Sequence, residues 1–170
     1  MSDIIIAPAL PEDIDAIMAV QNNAYSAITP ENRETMASRI KLAPEGCFTA
    51  KQNGMLMGYI LSHPFIAGEI PPLGKPLEQL PQNADSWYLH DLALEYGLRG
   101  TGAAALLVNA VKYIAAKHGF QQIFLVSIQQ SSGFWRKMGF AEILPEDGKI
   151  MQKLRSYGRD AIYMKAEILN

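Results

Sequence analysis

The residues best suited to proton transfer lie between Trp87 and Leu94, in the segment Trp-Tyr-Leu-His-Asp-Leu-Ala-Leu. An imidazole has an unperturbed pKa of about 6.5, so His90 can accept a proton near neutral pH. In a strand, side chains two residues apart share a face, which predicts that Tyr88 orients His90 or relays a proton through water. Asp91 is predicted to lie on the other face unless a β-bulge intervenes, and it is a second candidate base. A histidine with a purely structural role is the alternative.

A glycine-rich stretch follows, with the sequence Gly97-Leu98-Arg99-Gly100-Thr101-Gly102. The first amides of a helix that begins here have no partner within it and carry partial positive charge, so they attract an anion. Glycines at 100 and 102 let a phosphate approach, and Arg99 adds a full charge. A tight turn in an ordinary strand-to-helix connection is the alternative. The order of the glycines, without a following Lys-Ser/Thr pair, fits neither a P-loop nor a dinucleotide-binding loop.

These groups are positioned by a predicted strand, loop and helix that together cover residues 87–119. Apolar side chains recur at helical spacing in the last part, at Leu107, Ala110, Val111 and Ile114. Lys117 and His118 suit the negative end of a helix, and Gly119 is well placed to close it.

Six further strands and three further helices are predicted around this unit. The strands cover residues 4–6, 46–52, 55–62, 122–128, 139–143 and 161–169, with Asn53-Gly54 as a hairpin turn. The helices cover residues 12–24, 29–42 (Thr29 as cap, Pro30 first) and 131–138 (Ser131 or Ser132 as cap). Strands that alternate with helices around one sheet predict a single α/β or α+β domain over residues 1–170.

Two segments and one cysteine need separate interpretation. Residues 63–85 have no periodicity and five prolines, which is typical of a lid, a binding wall around Pro71-Pro72-Leu73 or a rigid surface connection. Residues 145–160 are polar and basic and are predicted to be a solvated excursion. Cys47 lies at the start of a predicted strand, before Phe48-Thr49-Ala50, which favours a buried structural role over that of a nucleophile.

Composition narrows the class of protein. With 49% hydrophobic and 19% charged residues the chain is globular, and its net charge of −2 gives no reason to expect a nucleic-acid or membrane partner. No apolar run approaches the roughly 20 residues that span a bilayer, and the N-terminus does not resemble a signal peptide. A single cysteine fits a reducing compartment, which predicts a cytoplasmic location. No metal-ligand spacing links the three histidines, so no metal site is predicted.

Two motifs resemble those of the GCN5-related N-acetyltransferase (GNAT) superfamily. Leu92-Ala93-Leu94 followed by Arg99-Gly100-Thr101-Gly102 is similar to its acetyl-CoA motif, Gln/Arg-x-x-Gly-x-Gly/Ala, at the start of the helix after the fourth strand. The segment 134–140, Phe-Trp-Arg-Lys-Met-Gly-Phe, is similar to its aromatic-Tyr-x-x-x-Gly-Phe segment. The resemblance implies a mixed, largely antiparallel twisted sheet of about seven strands flanked by about four helices.

Within the superfamily, the segment 88–94 resembles the His-x-His-x-Leu-Ala-Val strand of arylalkylamine (serotonin) N-acetyltransferases, with His90 on the second histidine and Tyr88 replacing the first. Two other positions depart from the family pattern. Gly97 stands where the acetyl-CoA motif has Gln or Arg. Trp135 stands where many members have the tyrosine that protonates the departing thiolate, so that role must pass to another group or to water.

The resemblance implies an acetyl-CoA-dependent N-acetyltransferase in which the primary amine of a small substrate attacks the bound thioester directly. Its implied catalytic residues are His90 and Tyr88, with a backbone amide near residues 92–94 as donor to the developing oxyanion. The implied acetyl-CoA residues are Leu92, Ala93, Leu94, Arg99, Gly100, Thr101, Gly102, Ala103, Ser132, Phe134 and Trp135, and the basic side chains of residues 145–160 could contact the 3′-phosphate of CoA. The implied partner is a small amine, and the protein is a monomer or homodimer.

Two hypotheses from other classes compete with this one. The first is an acyl-CoA-binding sensor or regulatory domain without turnover, which the departures at Gly97 and Trp135 favour. The second is a nucleotide-binding module that uses the glycine loop for a phosphate.

Overall fold

One sheet is the scaffold of the protein. In the computed structural model, which describes residues 2–25 and 29–169, seven strands form a sheet in the order β1-β2-β3-β4-β5-β7-β6. The strands are β1 (Ile4–Pro8), β2 (Phe48–Gln52), β3 (Met55–Phe65), β4 (Ser86–Leu94), β5 (Gln122–Ser127), β6 (Ala141–Glu142) and β7 (Ile162–Glu167). Neighbours run antiparallel except β4 and β5, which are parallel. The predicted mixed, largely antiparallel sheet is confirmed.

Helices cover both faces of this sheet. They are α1 (Ile14–Ala24), α2 (Arg33–Leu42), α3 (Ala103–Lys117), α4 (Ser132–Lys137) and α5 (Gly148–Ser156). α3 and α4 share one hydrophobic cluster with the sheet, and α1 and α2 share another on the opposite face. Among the described residues, no helix has the length and apolar character needed to traverse a bilayer.

The central unit folds as its sequence predicts. α3 buries Leu107 and Val111 against the sheet, and its first residue, Ala103, is fully buried as well. After the helix, Gly119 takes a φ of 82°, the left-handed conformation that commonly closes a helix.

α5 corrects the prediction of a solvated excursion over residues 145–160. Asp147 caps the helix by accepting a hydrogen bond from the amide of Lys149 at 2.7 Å. Ile150 and Leu154, one turn apart, pack into a cluster with Tyr88. The many basic residues mask this stripe in the sequence, but they lie on the outer side of an amphipathic helix.

The predicted hairpin is confirmed, and its second strand is longer than predicted. Asn53 and Gly54 have φ values of 53° and 78°, as a two-residue turn between antiparallel strands requires. β3 continues to Phe65, past the predicted end at Ser62, because residues 64 and 65 still pair with the start of β4.

The start of α2 differs from the prediction, and the difference matters for the site. The helix begins at Arg33, and its cap is Asn32, whose side chain accepts from the amide of Thr35 at 2.8 Å. The sequence predicts Thr29 as the cap. With the helix starting later, Glu31 lies in the connection before it, and its side chain extends toward β4.

The connection between β3 and β4 packs against the rest of the protein. Ile70 is fully buried, and the hydroxyl of Tyr157 donates to the carbonyl of Pro71 at 2.7 Å. Arg39 of α2 donates to the carbonyl of Lys75 at 3.1 Å. This roof segment, residues 66–85, therefore covers the end of the sheet near α2 and α5, and Leu73, from the predicted wall, lines the cavity described below.

Cys47 has the buried position that the sequence predicts. It is fully buried and lies just before β2, with its sulfur 3.8 Å from the carbonyl oxygen of Ser62. Burial raises the pKa of its thiol to about 12, so the thiolate is scarce at neutral pH.

Candidate active site

A β-bulge in β4 brings His90 and Asp91 to the same face of the sheet. Leu61 of β3 pairs with Asp91, but the next residue, Ser62, pairs with Leu89, so His90 is an extra residue in the ladder. The side chain of Asp91 consequently meets Tyr25, just after α1, and Tyr59 of β3, and that of His90 meets Glu31 from the same side. This β-bulge is the condition under which the sequence allows Asp91 to share a face with His90.

The two parallel strands at the centre separate and leave a cavity. β4 and β5 pair only at Trp87 with Ile123 and at Tyr88 with Phe124. Beyond these pairs the later residues of both strands line an open space of about 960 Å³. Its lining comprises Gln21, Ala24, Tyr25, Thr29, Pro30, Glu31, Leu73, Leu89, His90, Asp91, Leu92, Ala93, Leu94, Arg99, Gly100, Ala104, Leu125, Val126, Ile128, Gln129, Ser131, Phe134, Trp135, Ser156, Tyr157 and Gly158.

One end of the cavity meets the first turn of α3 at Ala104, where the first backbone amides have no partner within the helix. The Ala103 amide donates to the Thr101 hydroxyl oxygen at 3.4 Å. Gly102 caps the helix with a φ of 90°, without a side-chain capping bond and without an acidic residue in the first turn. Gly100 has a φ of 75°, and a Cβ at either glycine would meet no atom within 4 Å. Arg99, exposed beside them, lines the cavity. The geometry suits an anion such as a diphosphate.

The predicted cofactor residues divide into two groups in the structure. Those that line the cavity are Leu92, Ala93, Leu94, Arg99, Gly100, Phe134 and Trp135. Thr101, Gly102, Ala103 and Ser132 lie beside it and are not part of the lining. Thr101 donates its hydroxyl to the carbonyl of Leu98 at 2.6 Å, which ties the loop together. Ser131, not Ser132, is the serine at the start of α4 that reaches the lining.

Trp135 closes one side of the cavity as an apolar wall. Its side chain packs edge to face against Phe134 and Phe140, with ring centroids 4.8 and 5.5 Å apart, and only 8% of the residue is exposed. An indole N–H is not an acid near neutral pH, so this position offers no proton to a leaving group.

The other end of the cavity contains a carboxylate that sequence reasoning missed. Glu31 Oε1 lies 2.5 Å from His90 Nε2, and the exposed fractions of the two side chains are 12% and 1%. His90 Nδ1 is buried and has no hydrogen-bond partner among the described residues. Of the two side chains, that of Glu31 is therefore the more accessible, and it binds the imidazole nitrogen Nε2.

Glu31 is held on several sides. The buried side-chain amide of Gln21 accepts from the Glu31 backbone N–H at 3.0 Å and donates to its carbonyl oxygen at 2.9 Å. The backbone N–H of Gly74 donates to Oε2 at 3.2 Å. Glu31 and His90 are 59 residues apart in the chain. They lie in the connection before α2 and in β4, and the roof segment holds Glu31 from a third side. No local sequence pattern links these three parts.

The charge of Glu31 is favoured by its neighbours in spite of burial. Burial works to raise the pKa of this carboxyl, but the His90 ring, the Arg39 guanidinium and the Gly74 amide together hold the pKa below its ordinary value. Glu31 is accordingly ionised at neutral pH. Burial lowers the pKa of Arg39 itself, and Glu31 opposes that shift.

Asp91 is a second carboxylate at this end of the cavity. It accepts hydrogen bonds from the Tyr25 hydroxyl at 2.5 Å and the Tyr59 hydroxyl at 2.6 Å. Burial raises the pKa of Asp91, and the His90 ring and the two hydroxyls oppose that shift. Tyr25 also approaches the Leu92 carbonyl at 3.1 Å.

Tyr88 lies on the same side of β4 as His90, but it is not part of the cavity lining. The two rings are 6.5 Å apart between centroids, and the hydrogen bonds of the described residues include none between them. Tyr88 is 1% exposed, packs against Phe124 and Leu154, and its hydroxyl faces Tyr157, so burial raises its pKa well above the ordinary value.

Within residues 2–25 and 29–169, no group of His, Cys, Asp and Glu side chains is arranged to hold a metal ion. At this end of the cavity Asp91 accepts from two tyrosine hydroxyls, and His90 and Glu31 bind each other.

The sequence matches the model of the acetyltransferase (GNAT) family over residues 14–140. Because the match spans well over half of the 170 residues, the protein belongs to this family. It has the fold of the GNAT acetyltransferases, with the cavity at the separated strands described above. Comparison with curated proteins gave no match.

Solved structures with the same fold cover almost the whole chain. Ard1 from Thermoplasma volcanium is 15% identical, with a TM-score of 0.73 over 98% of this chain and 99% of that one. The GphF GNAT-like decarboxylase, solved with isobutyryl-CoA, is 16% identical, with a TM-score of 0.76 over 97% and 100%. The ribosomal-protein-S18-alanine N-acetyltransferase from Escherichia coli is 17% identical, with a TM-score of 0.69 over 99% and 96%.

Proposed function

We propose that the protein is an acetyl-CoA-dependent N-acetyltransferase that transfers the acetyl group directly to the primary amine of a small substrate. The observation that carries this proposal is the cavity itself. It extends from Arg99 and Gly100 before α3 and Ala104 in its first turn to Glu31, His90 and Asp91, so a region suited to an anion and a region with carboxylates and an imidazole line the same space. In this proposal residues 1–170 act as one catalytic domain in the cytoplasm.

Acetyl-CoA fits the residues present at the α3 end. Its diphosphate would be bound by the first amides of α3 beside Arg99, since Gly100 and Gly102 leave that approach open. Residues 92–94 of β4 lie free of β5 here, so their backbone groups can bind the pantetheine arm, with Phe134 and Trp135 as the apolar wall. The isobutyryl-CoA bound to GphF supports an acyl-CoA ligand for this fold.

Acetyl-CoA supplies an acetyl group activated as a thioester, and the protein must prepare the amine. An alkylamine with a pKa of about 10 is protonated at pH 7 and cannot attack until it loses a proton. His90 is the base that the sequence predicts, and in the folded protein it acts as a pair with Glu31. Tyr88 is proposed to orient His90 through the contact between their rings.

The end of the cavity near Glu31 suits the amine. Two carboxylates, Glu31 and Asp91, attract a cation, while Tyr25, Leu73 and Tyr157 supply apolar surface for its body. The resemblance of residues 88–94 to the arylalkylamine N-acetyltransferases also supports a small amine. A proton for the departing thiolate comes from a cavity group other than Trp135, or from water.

Release of free thiol from acetyl-CoA, measured with a panel of small amines, tests the proposal. We expect thiol release that depends on the amine and a rise in melting temperature with acetyl-CoA but not with ATP or NAD. Trp135 favours one other candidate, an acyl-CoA-binding sensor without turnover. Tight acetyl-CoA binding with no thiol release for any amine would select the sensor and exclude the enzyme.

A further inference from the structure

We infer that Glu31 is the group that accepts the proton of the attacking amine, and that His90 is a positioning residue behind it. The inference rests on the proposed N-acetyltransferase function and identifies which member of the pair meets the substrate. It concerns a residue outside both sequence motifs, in the connection between α1 and α2.

The first reason to regard Glu31 as the base is the difference in exposure between the two side chains. A base must come within hydrogen-bond distance of the nitrogen it deprotonates. The His90 side chain is 1% exposed, its Nε2 is engaged with Glu31 and its Nδ1 is buried without access to the cavity. The Glu31 side chain is 12% exposed, and each of its oxygens retains a lone pair beyond the bond it accepts from protein.

The second reason is that hydrogen bonds fix both the backbone and the side chain of Glu31. Gln21 uses both ends of a buried amide to fix the Glu31 backbone, and Gly74 and His90 fix one carboxylate oxygen each. Holding an ionised side chain in one position that faces a cavity costs conformational entropy and partial desolvation. Such an arrangement is typical of a group that acts on a ligand.

A second pair on the surface provides the comparison. Glu45 and His118 make the same contact, 2.5 Å between Oε2 and Nε2, but their side chains are 63% and 42% exposed. Glu45 lies in a turn before β2, away from the cavity lining. The pairing alone is therefore not what distinguishes Glu31; its fixed position in the cavity is.

The proposed step is a simple proton transfer. One N–H bond of the bound ammonium breaks, an O–H bond forms on Glu31, and the electron pair stays on nitrogen. That pair then forms the C–N bond to the acetyl carbon while the C–S bond breaks, and the sulfur leaves with the electron pair of the C–S bond. The attacking nitrogen then loses its second proton, which gives the neutral amide, and this proton reaches the thiolate directly or through water. Transfer to a carboxylate is uphill in water, and the neighbours of Glu31 hold its pKa below the ordinary value in the free protein. When the amine displaces solvent, the loss of hydration favours the neutral acid and the neutral amine over the two charged groups, which narrows the gap.

The groups that face Glu31 define what a pH profile reports. They are His90 and Asp91 on β4, Arg39 on α2, Tyr25 after α1, Tyr59 on β3 and Tyr157 after α5. Since His90 is the largest influence that lowers the pKa of Glu31, its removal moves the ionisation of Glu31 to higher pH.

The test compares Glu31→Gln, Glu31→Asp, His90→Gln and the control Glu45→Gln, each with thermal melting and acetyl-CoA affinity measured alongside kcat. We expect Glu31→Gln to lose about 100-fold or more in kcat, the usual contribution of a general base, with acetyl-CoA affinity unchanged. His90→Gln should lose about tenfold and move the acidic limb of the kcat profile to higher pH. Glu45→Gln should match the unaltered protein.

Glu31→Asp keeps the negative charge, so it tests the inference even if the Glu31→Gln variant does not fold. The kcat of Glu31→Asp should be lower because the shorter side chain cannot reach both His90 and the amine, but its pH profile should keep the acidic limb. A Glu31→Gln enzyme within about threefold of normal kcat, or a His90→Gln enzyme with the larger loss and no shift of the limb, would overturn the inference. Absence of turnover in the unaltered protein would overturn the N-acetyltransferase proposal and this inference with it.

Discussion

The hydroxyl of Tyr59 donates to Asp91 across neighbouring strands at 2.6 Å, and it is one of two tyrosine hydroxyls bound to that carboxylate. Because burial raises the pKa of Asp91, this carboxyl favours folding most at pH values below its ordinary pKa, and that contribution is lost as pH rises toward the folded-state pKa. The two hydroxyls limit this loss by favouring the ionised form.

Tyr59→Phe should therefore destabilise the protein in a pH-dependent way. Loss of the hydroxyl leaves one Asp91 oxygen without its donor, at a cost of about 1–3 kcal/mol when the carboxylate is ionised. Urea unfolding should give a larger deficit at pH 7 than at pH 4. Tyr113→Phe is the control, since that side chain is 68% exposed on α3. Equal deficits at both pH values would contradict the explanation.

Substitutions at two glycines, at opposite ends of α3, distinguish an effect of backbone strain from an effect on ligand binding. Gly102 and Gly119 have φ values of 90° and 82°, and a Cβ added at either one meets no atom within 4 Å. Alanine at either site should lower the free energy of unfolding by a similar amount, about 1 kcal/mol, because both positions favour glycine. Only Gly102→Ala should weaken acetyl-CoA binding, as measured by calorimetry. A Gly119→Ala protein with equally weakened binding would argue against the anion site at α3.

His63 should make the protein sensitive to acid. Burial lowers the pKa of this imidazole to about 3, so the folded state resists a proton that the unfolded chain accepts below about pH 6.5. The stability that neutral His63 contributes is present above pH 6.5 and falls progressively toward pH 3, by about 3 kcal/mol at pH 4. His63→Gln does not titrate and should flatten unfolding curves between pH 6.5 and 4. If the unfolding free energy of His63→Gln depends on pH as steeply as that of the unaltered protein, other groups cause the acid sensitivity.

Leu154 should report the packing of α5. It is 8% exposed in the cluster that contains Tyr88 and Tyr163, so Leu154→Ala should cost about 2–3 kcal/mol of unfolding free energy. Hydrogen exchange should accelerate in the roof segment as well, because Tyr157, just after the helix, binds the carbonyl of Pro71. Gln152→Ala on the exposed side of the helix is the matched control.

Local chemistry makes part of this molecule predictable. Asn53-Gly54 dictates a turn by itself, and the alternation of β4 followed by glycines and an apolar-striped helix leaves few alternatives for residues 87–119. α5 escapes sequence reasoning because charge dominates its composition, while only a few apolar side chains, among them Leu154, decide its packing.

The end of the cavity near Glu31, which we propose binds the amine, is harder to predict from the sequence. The sequence places Glu31 in the first turn of α2, where an acidic residue is ordinary. Its partner His90 is 59 positions away, and the two meet because Asn32 caps α2, which leaves Glu31 in the connection before the helix with its side chain toward β4. No sequence periodicity predicts a contact between two residues so far apart in the chain.

The hydrogen bond from Gly74 to Glu31 and the hydrogen bond from Tyr157 to Pro71 attach the roof segment at two points above the same end of the cavity. Among the described residues, Leu73 is the one member of that segment in the cavity lining, and the α3 end is built from other parts of the chain. Under the proposed function, the β3–β4 connection can therefore change to admit a different acceptor while the part of the chain proposed to bind the thioester stays intact, so selectivity and carrier recognition would evolve on separate parts of one chain.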